Sequence, residues 1–300
     1  MTPPARHRAL RAGLALLLLW LAITPGLPAA EPAAGWHTFW SVKGRQGNTL
    51  WLLGSIHLLR PEDATPPQPV LQAYRTSKQL VLELDIDGAG NMGPPDARLL
   101  RLPERRALRD VLGTSLHDRF VAAASEQGLP ASLFDSMQPW FAAITYEQAV
   151  YAQLGFNASQ GVDQQFARRA AADGKPVLGL ETINEQLGYF AALPMKDQVD
   201  LLRETLDESA GIQEELGGII DAWRRGDIGR LEALLTRGLG QSPELMQRLT
   251  RDRNRKWMAS LTPLLEGRQD VLVIVGALHL VGPDGLPSLL RKAGWQPVQH

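Results

Sequence analysis

Apolar residues fall along this chain in two rhythms. Residues 37–42, 49–53, 79–85, 177–181 and 271–275 form short apolar or alternating runs of strand length, and most stretches between them carry the three-to-four-residue spacing of helices. The first two runs flank a polar, glycine-containing turn at 43–48, which predicts a hairpin. Helices are expected over 67–77, 115–127, 138–154, 161–173, 194–225, 228–239, 243–265 and 285–293, with a flexible loop over 88–95 and a short last strand near 297–298. The 138–154 segment is apolar all round, with Trp140, Phe141, Ile144, Tyr146, Val150 and Tyr151, as befits a helix buried on several sides. Thr182 and Glu185 have the spacing of a capping box at the start of a further helix.

Several strand-like runs end in polar residues. Two of them close with Gly-x-x-His, at Gly54 to His57 and again 222 positions later at Gly276 to His279. The 79–85 run ends in Glu83 and Asp85, which alternation places on one face, and the 177–181 run ends in Glu181. Open α/β sheets bind ligands at the carboxyl ends of their strands, so four polar endings predict one shared site. The fold expected is therefore α/β: a central mixed sheet with polar strand ends forming the site, flanked by helices with a large helical insertion. Imidazole is the commonest protein ligand for a transition metal, and a glycine ahead of each histidine allows close approach.

Composition narrows the chemistry. The 300 residues contain no cysteine, which leaves His, Asp and Glu to hold any metal. Residues 1–30 read as a signal peptide: Arg6, Arg8 and Arg11 precede an apolar core of ten residues, from Leu14 to Ile23, and a Pro/Gly break. That core is shorter than the roughly 20 residues a membrane-spanning helix needs, so a periplasmic or secreted protein with no stable membrane span is expected. The remaining domain, residues 31–300, has a net charge of −4, which argues against nucleic acid as a partner. A His-Glu-x-x-His string, a Gly-x-Ser-x-Gly elbow and a phosphate loop are all absent. Ser55 is set aside as a nucleophile because alanine stands at the matching position, 277.

The two Gly-x-x-His motifs, Leu82-Glu83-Leu84-Asp85, Gly161-Val162-Asp163, Gly179-Leu180-Glu181-Thr182, Arg253-Asn254-Arg255-Lys256-Trp257 and the tail from His279 to Leu286 together resemble the TraB/PrgY/GumN family, which includes the Tiki proteases. The resemblance implies a fold related to erythromycin-esterase and ChaN-like proteins, and metal-dependent hydrolysis of the kind shown for the Tiki branch with manganese or cobalt. The resulting expectation is hydrolysis of a peptide or protein substrate by metal-activated water. His57, His279 and Glu83 would bind manganese, cobalt or zinc, with Asp85 as a further ligand or a group orienting an imidazole. Glu181 would act as base and Arg253 or Asn254 would stabilise the oxyanion. The residues leave open which carboxylate is ligand and which is base. Alternatives are an esterase or lactonase acting on small molecules, a haem or iron carrier, and a non-catalytic binding protein.

Overall fold

The structure is a computed structural model that describes residues 36–85, 95–103, 106–208, 212–237 and 243–300. The expected signal peptide, and all but the last residue of the expected 88–95 loop, lie outside the described residues.

Six strands form one mixed sheet: β1 (Phe39–Lys43), β2 (Thr49–Ser55), β3 (Gln79–Leu84), β4 (Val177–Glu181), β5 (Val271–Gly276) and β6 (Val298–Gln299), in the order β4-β3-β5-β2-β1-β6. β1 and β2 form the expected antiparallel hairpin, and β6 pairs antiparallel with β1 at the edge. β2 pairs parallel with β5, β5 with β3, and β3 with β4. The carboxyl ends of these four strands therefore share one edge of the sheet, as their polar endings imply.

Helices cover both faces, which is why the parallel strands read as nearly continuous apolar runs. The alternation survives within them. Val271, Val273 and Val275 face a core containing Trp257, Leu261, Leu286 and Leu290 from α9 (Asp252–Leu265) and α10 (Leu286–Lys292). Leu272 and Ile274 face the larger core built by the other helices. The longer of these are α1 (Gln68–Thr76), α2 (Thr114–Glu126), α3 (Pro139–Gln153), α4 (Val162–Asp173), α5 (Ile183–Ala191), α6 (Met195–Glu208), α7 (Ile212–Arg225) and α8 (Ile228–Leu235).

The capping box forms as expected: Glu185 N–H donates to Thr182 Oγ1 at 3.2 Å and Thr182 N–H to Glu185 Oε2 at 2.8 Å. Within the segment expected as one helix, 194–225, α6 runs to Glu208 and α7 starts at Ile212, and residues 209–211 lie outside the described residues. The segment expected as one helix over 243–265 contains a π-helical stretch, Gln247–Arg251, directly before α9. Such wide turns re-aim the side chains that follow them, and here the second residue after the turn is Arg253. Among the described residues, no helix is long and apolar enough to cross a membrane.

Candidate active site

β2 ends at Ser55, and the chain continues through Ile56 to His57. The Gly161-Val162-Asp163 segment docks against this turn: Val162 N–H donates to the Ile56 carbonyl at 3.1 Å, and a Cβ on Gly161 would lie 2.1 Å from the His57 carbonyl oxygen. Only glycine permits that approach. It brings Asp163, on the first turn of α4, to the imidazole: the carboxylate accepts from His57 Nδ1 at 2.7 Å and from Ser55 Oγ at 2.9 Å. Burial opposes protonation of His57, but the charge and hydrogen bond of Asp163, with help from Glu83, outweigh it and raise the pKa to about 9.

β5 ends at Gly276 and passes into a 3-10 turn, Ala277–Leu280, that carries His279. Asn254 Nδ2 donates to the His279 and Asp284 carbonyls, so its Oδ1 is the acceptor for His279 Nδ1 at 2.7 Å. His279 Nε2 is thereby left as an acceptor, and Arg253 Nη1 donates to it at 3.1 Å. Burial and the Arg253 charge keep this imidazole neutral, with its pKa lowered to about 3. Trp257 packs on the ring at a centroid distance of 4.3 Å.

Glu83 joins the two histidines. Gly276 N–H donates to its Oε1 at 2.7 Å, while its Oε2 accepts from Arg253 Nη2 at 2.6 Å and Gln186 Nε2 at 3.1 Å. Burial opposes its ionisation; Arg253, the two imidazoles and the Gly276 N–H prevail and hold the pKa at about 2. A Cβ on Gly276 would lie 3.1 Å from His57 Nε2, 3.2 Å from Glu83 Oε1 and 3.8 Å from His279 Cδ2. The missing side chain of Gly276 thus leaves a space bounded by an imidazole nitrogen and an ionised carboxylate.

Arg253 is completely buried between Glu83 and Glu181, with Nη2 to Glu181 Oε2 at 2.9 Å, and stacks between Tyr189 and Trp257. Glu181 therefore serves as the second carboxylate of an ion triad. Its Oε1 also accepts from the Tyr189 hydroxyl at 3.0 Å. Asp85 follows the end of β3, half-buried against the backbone of Gly179 on β4. The Nδ1 atoms of His57 and His279 are held by Asp163 and Asn254 respectively.

The site opens into an apolar cleft lined by Ser55, His57, Glu83, Gly276 and His279 at one end. Its space between the lining atoms is about 750 Å³, open mouth included. Glu147, from the middle of α3, also lines it. Its carboxyl is buried, with the Tyr151 hydroxyl donating to Oε1 at 2.6 Å, and burial raises its pKa to about 8. A carboxyl whose folded pKa lies above its unfolded value favours the fold while protonated, so stability falls as pH rises from about 4.5 toward 8. Glu147→Gln removes that slope. Its melting temperature is expected to exceed the wild-type value by several degrees at neutral pH and above, and the two to converge below about pH 4.5; scanning calorimetry across pH checks this.

The donor set can be tested against a metal ion. Among the described residues, no group of three His, Asp or Glu side chains is disposed to hold one. His57 Nε2 and Glu83 Oε1 converge as two donors, while the His279 Nε2 lone pair points to Arg253. The structure brings the three expected ligands, His57, His279 and Glu83, together, with His279 Nε2 3.8 Å from Glu83 Oε1 and accepting from Arg253.

The profile of the TraB/PrgY/gumN family matches residues 38–299, spanning every strand and helix described above. The chain belongs to this family. It is 28% identical over 240 residues to "Uncharacterized protein YbaP" of Escherichia coli (strain K12), covering 80% of this chain and 87% of that relative. The same identity and coverage hold for the protein of that name in Shigella flexneri. No solved structure matches. For this TraB/PrgY/gumN member, the site above supplies what the relatives' names do not: a specific arrangement of charge and hydrogen bonds.

Proposed function

We propose that this chain is an exported hydrolase whose reacting centre lies over Gly276, and that His57 and Glu83 take a divalent cation there. The observation that carries the reading is the convergence of His57 Nε2 and Glu83 Oε1 on one open point at the wall of an apolar cleft. Charge supports it. Glu83, Glu181 and Asp163 face a single permanent cation, Arg253, so a divalent ion in place of the His57 proton would bring the cluster to neutrality. Imidazole and carboxylate donors suit manganese, cobalt or zinc.

Such an ion, when bound, lowers the pKa of its water far enough to supply hydroxide near neutral pH. The chain's own residues do the rest. Asp163 holds the Nδ1 proton of His57 so that Nε2 faces the cleft, and the Gly276 N–H fixes Glu83 Oε1. Arg253 keeps Glu83 ionised at a depth where it would otherwise take up a proton. The apolar walls exclude bulk water and receive the apolar part of a peptide substrate.

The test is hydrolysis of a peptide library and a panel of small esters, with manganese, cobalt or zinc and with a chelator, alongside elemental analysis of His57→Gln. Peptide cleavage that chelation stops is expected, with metal affinity in the variant reduced by about 10-fold or more. Ester cleavage alone moves the reading to the esterase class. Full metal content in His57→Gln, or no metal-dependent hydrolysis of either panel, overturns it.

A further inference from the structure

The cleft that ends at His57 is walled by Ile144, Phe156, Ile219 and Leu278, yet Glu147 lies among them with 6% of its surface exposed. The Tyr151 hydroxyl hydrogen-bonds it from one turn along α3. Among the described residues, no lysine or arginine lines the cleft. The other titratable side chains facing it are His57, Glu83 and His279 from the strand ends and Tyr151 from α3, while α7 and α8 contribute only Leu216, Ile219, Ile220 and Leu235. An acidic group set in an apolar wall without a lysine or arginine beside it is complementary to a cation brought by a ligand, because the low dielectric that penalises the lone charge strengthens the pair.

We propose that this cleft binds ligands with an apolar body and a primary ammonium group, and that Glu147 is the residue that reads the ammonium. The assignment deepens the hydrolase reading, on which it rests for the reaction, by naming a substrate class: apolar chains with a free amino end. Tyr151 is the positioning residue for the carboxyl. On binding, the protonated carboxyl releases its proton to solvent and the carboxylate pairs with the ammonium, so one proton leaves per ligand bound. This agrees with the raised pKa of about 8 for the empty site.

The experiment is calorimetric titration of the full chain, without metal, using hexylamine and hexanol at neutral pH in two buffers of different ionisation enthalpy. Hexylamine is expected to bind at least roughly tenfold more tightly than hexanol, with release of close to one proton. Glu147→Gln, nearly isosteric and uncharged, is expected to bind the two alike and release none. A phenylalanyl-leucine dipeptide compared with its N-acetyl form separates the two sources of amine. Preference for the free dipeptide assigns the site to peptide amino ends, and preference for hexylamine alone assigns it to small amines. Equal affinity for hexylamine and hexanol, or preference retained in Glu147→Gln, overturns the proposal. These are binding measurements made without turnover, so a chain that prefers amines but hydrolyses nothing removes the hydrolase reading and leaves this one standing.

Discussion

Replacing Arg253 by methionine is expected to lower the unfolding free energy by roughly 3–5 kcal/mol, the cost of stranding buried charges by removing their partner. The guanidinium uses all three of its nitrogens. Nη2 reaches Glu83 and Glu181, Nε reaches both oxygens of Glu181 at 3.2 and 3.1 Å, and Nη1 reaches the Leu249 carbonyl and His279. Removing it leaves two carboxylates, each no more than 5% exposed, without the guanidinium that pairs them. Replacing the whole triad with neutral groups should cost far less, because no charge is then left inside. The comparison is therefore between Arg253→Met and the triple variant Arg253→Met, Glu83→Gln, Glu181→Gln in urea unfolding, and the triple is expected to recover most of the loss. A single variant within about 1 kcal/mol of wild type, or a triple no more stable than the single, would show that the triad does not hold this edge together. The pH dependence has a definite sign. Glu83 has a folded pKa depressed to about 2 from 4.5, so its contribution is fully present above 4.5 and lost as pH falls through 2. The gap between wild type and Arg253→Met should narrow over that window.

The architecture was legible because its rules are local. Parallel strands buried on both faces must read as apolar runs, and a run that ends in a polar residue announces where the sheet meets a site. That logic places His57, Glu83, Glu181 and His279 at one edge from sequence alone, and the structure agrees. It reaches only as far as the strand: β3 ends at Leu84, and for Asp85, one residue beyond, the period no longer fixes direction. Nor does it say what each side chain does once delivered. Glu181 and Glu83 look equivalent in sequence, yet one is taken up by Arg253 and the Tyr189 hydroxyl while the other also borders the open point over Gly276.

The partners of the histidines were the harder part, because they are fixed by long-range docking. Asp163 lies 106 positions from His57 and looks like an ordinary acid favoured by a helix start. The visible signal was the glycine two residues before it, whose bareness lets the segment press against the His57 carbonyl. Glu147 was hidden by its own helix: a segment apolar on all sides reads as core, and the lone acid within it was the clue.

The two Gly-x-x-His motifs look like twins, and substituting alanine for each glycine should show that they are not. Gly276 has φ −50° and ψ 138°, a conformation open to any L residue, so alanine there brings no backbone strain. What it brings is a methyl group into the space between His57 Nε2 and Glu83 Oε1, which must then give way. The contacts are close enough that His57 and Glu83 must each shift slightly, and the methyl also occupies the point where the reaction is proposed, so Gly276→Ala is expected to lose on the order of tenfold or more in hydrolysis while its stability stays within about 1 kcal/mol of wild type. Gly54 serves packing. A Cβ there would meet the Thr38 methyl at 2.5 Å and the Ala277 Cα at 3.3 Å, on the side where Gly54 N–H donates to the Thr38 carbonyl. Gly54→Ala should therefore behave as an overpacked core, losing about 1–3 kcal/mol of stability while each folded molecule keeps most of its activity. Urea unfolding and turnover per folded molecule, measured on both variants, separate the two roles. If Gly276→Ala hydrolyses as wild type does, the open point over that residue is not where the reaction takes place.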